Sequence, residues 1–138
     1  AIHSELTSLQ NHKTFSYLPL PPGKRVLPVK FVLKVKSNPD GTVERYKARL
    51  VALGFMQVIG RDCGETYAPV SRYPTLRFLI AHCNAEDIEI IHLDVKTAFL
   101  NADLEEEVWI ADPPGVVGIP GHAYTLHKAL YGLKQAPR

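Results

Sequence analysis

The chain has 138 residues, 46% hydrophobic and 22% charged, with a formal net charge of +2. That length suits one domain with a real core. No apolar run approaches the roughly 20 residues of a membrane span, and no basic-then-apolar leader opens the chain, so neither a membrane protein nor a signal-bearing one is expected. The small net charge hides an asymmetry: residues 13–49 carry nine Lys/Arg against two acids, while residues 86–112 carry nine Asp/Glu against one base. A basic lobe beside an acidic one suits a protein that holds a polyanion on one side and cations on the other; two solvated faces would give the same count.

In chain order, Ile2, Leu6 and Leu9 recur at helical spacing, which predicts a short amphipathic helix over residues 1–11. Three prolines and a glycine predict a loop over residues 18–23. Val29, Phe31, Leu33 and Val35 alternate with Lys30, Val32, Lys34 and Lys36, a strand with one apolar and one mostly basic face. Asn38-Pro39-Asp40-Gly41 is a turn signal. A second strand then puts Arg45, Lys47 and Arg49 on one face and Tyr46, Ala48 and Leu50 on the other. The pair reads as a β-hairpin with its basic rows side by side. After a glycine-broken loop, residues 75–84 read as a helix with Pro74 near its start and an apolar stripe of Leu76, Leu79, Ile80 and Cys83. Residues 88–94 read as a buried strand ending on Asp94, followed by a helix-prone turn. Strands are expected at 107–111 and 124–126, and a helical turn at 128–133. Without a steady βαβ rhythm, the fold class is α+β.

Asp94 is the first chemical candidate. A carboxylate at the rim of a core, with the Val95 carbonyl beside it, offers hard oxygen ligands to a divalent cation; an Asp there equally suits a cap for the turn that follows. Phe99 can lie beneath a bound sugar or fill the core. The Arg45, Lys47, Arg49 row can clamp a triphosphate or a template backbone, or protect a solvated edge from aggregation. The six histidines show no ligand spacing. Cys63 and Cys83 lack partners at ligand spacing, which points to reduced thiols and an intracellular setting.

Five blocks, taken together, resemble the reverse transcriptase domain of Ty1/copia-type retrotransposon polyproteins. They are the basic hairpin from Lys30 through Val51; Gly54-Phe55-Met56-Gln57; Glu65-Thr66-Tyr67-Ala68-Pro69-Val70; Leu93-Asp94-Val95-Lys96-Thr97-Ala98-Phe99-Leu100-Asn101 with the acidic stretch behind it; and Leu130-Tyr131-Gly132-Leu133-Lys134-Gln135-Ala136-Pro137-Arg138. The resemblance implies a single partial domain over 1–138, with residues up to about 85 as fingers and those from about 86 as the start of an incomplete palm sheet. It implies Asp94 as the first catalytic aspartate, holding Mg²⁺ with Val95, and Phe99 as the screen against a 2′-hydroxyl. The Thr97 and Ala98 amides would face the incoming dNTP with Lys47 and Arg49. Lys30, Lys34 and Arg45, and Tyr131, Gly132 and Lys134 beneath the nascent base pair, would meet the RNA or DNA template-primer. The remaining polyprotein is the other implied partner. The family's usual Trp is Phe at 15 and 31, its Gly is Ala102 and its Tyr is Cys63. The start at Ala1, without Met, and the lack of the family's paired aspartates imply a piece of a longer chain, which alone should not polymerise. A non-catalytic nucleic-acid-binding module and an inert transposon relic are the alternatives.

Overall fold

The structure, a computed structural model, describes residues 1–95 and 97–138; Lys96 of the aspartate-bearing segment lies outside the described residues. The order is α1 (Ile2–Asn11), β1 (Phe15–Pro19), β2 (Val26–Leu27), β3 (Val29–Ser37), β4 (Val43–Ala52), α2 (Tyr73–Ala85), β5 (Trp109–Ile110) and β6 (His122–Leu126), with short 3-10 turns at Gly54–Met56 and Ala98–Asn101. Mixed helices and sheets match the expected α+β class.

Two sheets organise the chain. One runs β1-β6-β5-β2, with β2 parallel to β5 and the other pairs antiparallel. It draws strands from both sides of residue 85. The other is the β3-β4 hairpin. Pro28 separates β2 from β3 and marks where the chain leaves one sheet for the other. Its carbonyl accepts the N–H of Leu53, closing the root of the hairpin. Leu9 of α1, Leu50 of β4, Ile110 of β5, Leu126 of β6, and Leu100 and Leu130 from the turns meet in one core. Phe15 and Phe31, which stand where tryptophan was expected, pack partly buried against it.

Several sequence expectations need correction. Residues 18–19 are not loop: β1 continues through Pro19, opposite His122. Proline is tolerated there because β1 is an edge strand and Pro19 its last residue. Residues 88–94 form no strand. Ile91 is 73% exposed and Leu93 83%. A β-branched run becomes a strand only where a neighbour takes its backbone hydrogen bonds and a layer covers its side chains, and no described strand runs alongside. The helix over 75–84 is real and longer, as α2, with Pro74 in its first turn. Its stripe is not core, however: Leu76, Leu79 and Ile80 are exposed, and only Cys83 is buried. The strand expected at 107–111 shortens to Trp109–Ile110. Residues 128–133 form an isolated bridge at Lys128 and a turn at 131–132 instead of a helix. They bury Ala129, Leu130 and Leu133 on one side of the core, and the left-handed Gly132 (φ +89°) breaks any helical run. Cys63 and Cys83 are unpaired and buried.

Candidate functional site

The hairpin register sets the electrostatics. Lys30 pairs with Val51, Val32 with Arg49, Lys34 with Lys47 and Lys36 with Arg45. Residues directly opposite in a sheet share a face, so the two basic rows do lie side by side. This like-charge crowding has a cost. Arg49 holds the Lys47 ammonium below the usual lysine range, with partial burial, Lys36 and Arg45 adding to the effect and Glu5 opposing it. Such a row is relieved by an anion.

A pocket of about 470 Å³ opens against this row, lined by Arg45, Lys47 and Arg49 of β4 and by Asp94, Val95, Thr97 and Ala98. Leu100, Tyr131 and Glu5 complete its wall. Positions far apart in sequence thus meet in one concavity. Thr97 enters its turn with φ 51° and ψ 41°, a left-handed conformation uncommon outside glycine. It reverses the chain before Ala98–Asn101, so that Leu100 is buried while Ala98 faces the pocket. Such strain persists only where surrounding packing enforces it.

Three side chains brace the floor. The Arg49 guanidinium lies 5.1 Å from the centre of the Tyr131 ring, a cation–π contact. The Phe99 ring meets Tyr131 edge-on at 5.0 Å. Phe99 therefore supports the wall from behind without lining the pocket. Tyr131 is itself tied to β4, its carbonyl accepting the Ala52 N–H at 2.8 Å.

The remaining sequence candidates sit elsewhere. Lys30 shares the basic face of the hairpin outside the pocket, and Lys34 borders a separate apolar groove with Ile2, Leu33 and Tyr46. Gly132 packs its bare α-carbon against Ala52 and Val51. Lys134 donates its Nζ to the Gln57 carbonyl at 3.0 Å and its backbone N–H to the Gln57 side chain at 2.9 Å. Gln57 closes the Gly54-Phe55-Met56-Gln57 block but was given no role from sequence, yet it is buried and also donates to Gln135 Oε1 at 3.1 Å, locking the last turns of the chain to the loop after β4. A Gln two residues beyond an aromatic gives no local signal of such a role. Glu5 was missed too. Its only sequence mark is its place one helical turn before Leu9, on the buried face of α1.

Asp94 is exposed within the pocket. Among the described residues, no three His, Cys, Asp or Glu side chains gather as a metal-ligand set. One carboxylate and a neighbouring carbonyl do not by themselves fit a two-metal centre, which needs bridging carboxylates.

Comparison with known proteins fixes the family. A family described as Reverse transcriptase (RNA-dependent DNA polymerase) matches residues 12–138. Over its whole length the chain is 45% identical to the Retrovirus-related Pol polyprotein from transposon TNT 1-94 of Nicotiana tabacum. It is 39% and 38% identical to the corresponding polyproteins from transposons RE2 and RE1 of Arabidopsis thaliana. It spans 10% of the length of each of these relatives. No solved structure matches it. The chain belongs to the reverse transcriptase family, in the branch carried by Ty1/copia-type retrotransposons.

Proposed function

We propose that this chain is the fingers and first palm portion of an RNA-directed DNA polymerase, and that its pocket receives the triphosphate of an incoming dNTP. In this reading residues up to about 85 belong with the fingers and those from about 86 begin the palm. The observation that carries it is the meeting of Arg45, Lys47 and Arg49 with Asp94 in one concavity. A row of three bases lining one side of a concavity is an arrangement for a ligand bearing phosphate oxygens. Lys47 and Arg49 hold that group, and the Thr97 and Ala98 backbone borders it. Arg49 is aimed by its seat on Tyr131, and Phe99, behind Tyr131, sets how far the sugar can descend. The exposed basic face around Lys30 and Lys34 receives the template-primer backbone, and the rest of a Pol polyprotein is the natural covalent partner.

In the whole enzyme, divalent metal, by family Mg²⁺, organises nucleotidyl transfer. Here Asp94 supplies one carboxylate where such a centre uses about three, so this chain alone is proposed not to polymerise. Calorimetric titration with dTTP tests the pocket. Lys47→Ala and Arg49→Ala should each weaken binding about fivefold or more, by loss of a charge-assisted contact, while Lys24→Ala, outside the pocket, leaves it unchanged. Equal binding by all four proteins would refute the assignment. Primer extension tests the second part: magnesium-dependent incorporation, abolished by Asp94→Ala, would show that the chain is a polymerase by itself. The exposed hairpin face also favours a second reading, a non-catalytic nucleic-acid-binding module. It predicts sequence-independent binding that falls steeply with salt, with no dTTP affinity.

A further inference from the structure

Glu5 belongs to the pocket but has no part in the function proposed above. It arrives from α1, one turn before buried Leu9. Its Oε1 accepts the N–H of Leu50 at 3.1 Å, two residues before the Ala52 N–H that Tyr131 takes on β4. That bond fixes the carboxylate beside Arg45, Lys47 and Arg49. Among the described residues the pocket therefore carries three bases and two acids, Glu5 and Asp94. A site for a bare polyanion gains nothing from two carboxylates, since each repels the ligand. A polyphosphate that brings a divalent cation presents both signs: phosphate oxygens for the bases, and a cation whose charge offsets the repulsion.

We propose that Glu5 is a specificity-determining residue of this pocket, its fixed negative charge biasing the site toward cation-complexed polyphosphate and against bare polyphosphate. The inference rests on the polyphosphate reading of the pocket. Glu5 acts through its field across the cavity, with no coordination to the cation required. It is held in place by a backbone amide, so its contribution is present before any ligand arrives.

The test is calorimetric titration of the 138-residue chain with tripolyphosphate, once in chelator and once with saturating magnesium. Glu5→Gln is the informative variant, because its amide oxygen still accepts the Leu50 N–H while the charge is gone. It should bind bare tripolyphosphate about fivefold more tightly, and the magnesium complex less than about twofold more tightly, so the preference for the complex shrinks. An unchanged preference in Glu5→Gln overturns the assignment to Glu5 and leaves the pocket reading standing. If the wild-type chain binds neither form, the polyphosphate reading falls and this inference with it. Should Glu5→Gln fail to fold, a second variant decides the matter. Glu5→Ala, which removes the same charge, is then titrated in its place, with Asp94→Asn beside it to separate the two acids; a preference unchanged in Glu5→Ala overturns the proposal.

Discussion

Replacing Gly132 by alanine tests how the Tyr131 turn is held on the hairpin. Gly132 has φ +89°, and an added β-carbon would run into the Ala52 carbonyl oxygen and the Val51 side chain. The left-handed backbone alone costs a non-glycine residue about 1–2 kcal/mol. The overlap is with main chain, which cannot rotate away, so the turn must lift from β4. Lifting breaks the Ala52 N–H to Tyr131 bond, worth about 1 kcal/mol. It also separates Arg49 from its ring, worth roughly another 0.5–1 kcal/mol. The sum is about 3 kcal/mol, a large part of the 5–15 kcal/mol typical of a small domain. Gly23 separates the two contributions. It has φ +79° but nothing near its missing β-carbon, so Gly23→Ala should cost only the backbone strain, about 1 kcal/mol. Urea denaturation followed by tryptophan fluorescence measures both, since the buried Trp109 reports on the core. A Gly132→Ala protein no less stable than Gly23→Ala would refute the claim that close packing against Ala52 seats the turn.

Three further outcomes are expected. Ile91→Lys should change stability by no more than about 0.5 kcal/mol, because the residue is exposed; a loss above about 2 kcal/mol in the same denaturation would restore the buried strand that the sequence predicts. Gln57→Ala should cost roughly 2–3 kcal/mol, since it strands the half-buried Lys134 N–H and the buried Gln135 carboxamide, and accelerated amide exchange at Lys134 would locate the damage. Burial pushes the Asp62 carboxyl up, but the Val58 N–H, Arg61 and Arg25 outweigh it and hold it below the usual carboxylate range. A carboxylate depressed on folding stabilises fully above its unfolded value near pH 4 and loses that contribution as pH falls through the lower folded value. Asp62→Asn should therefore be less stable at neutral pH by about 1–2 kcal/mol, with the difference closing below pH 4; a constant difference down to pH 2 would count against it.

The hairpin was legible because its signals are local and redundant. Alternation in residues 29–36, the turn at Asp40-Gly41 and the spacing of Arg45, Lys47 and Arg49 all point the same way, and the register agrees. Helix α1 was legible from Ile2, Leu6 and Leu9 for the same reason. Residues 88–94 were misread because β-branching reports the capacity to pair, whereas pairing depends on a neighbour the local sequence does not specify. The stripe of α2 fails similarly: periodicity predicts a helix with an apolar face but not that anything covers it. At the site, the acid and the bases were each visible, but their convergence was not, because it depends on the left-handed Thr97 and on Tyr131 bonding to Ala52. The roles of Glu5 and Gln57 could not be read because their partners, Leu50 and Lys134, lie 45 and 77 residues away.

The ties of Leu53 to Pro28, of Ala52 to Tyr131 and of Leu50 to Glu5 all hold the hairpin near its root. The arm is a cantilever of two strands, and thermal displacement of such a beam grows with distance from its clamp. Arg49 stands three residues from Ala52, about 10 Å out, and Arg45 seven residues, about 23 Å. The row therefore offers graded compliance: a stiff guanidinium near the root to set a ligand's position, and a looser one toward the tip to follow its movement.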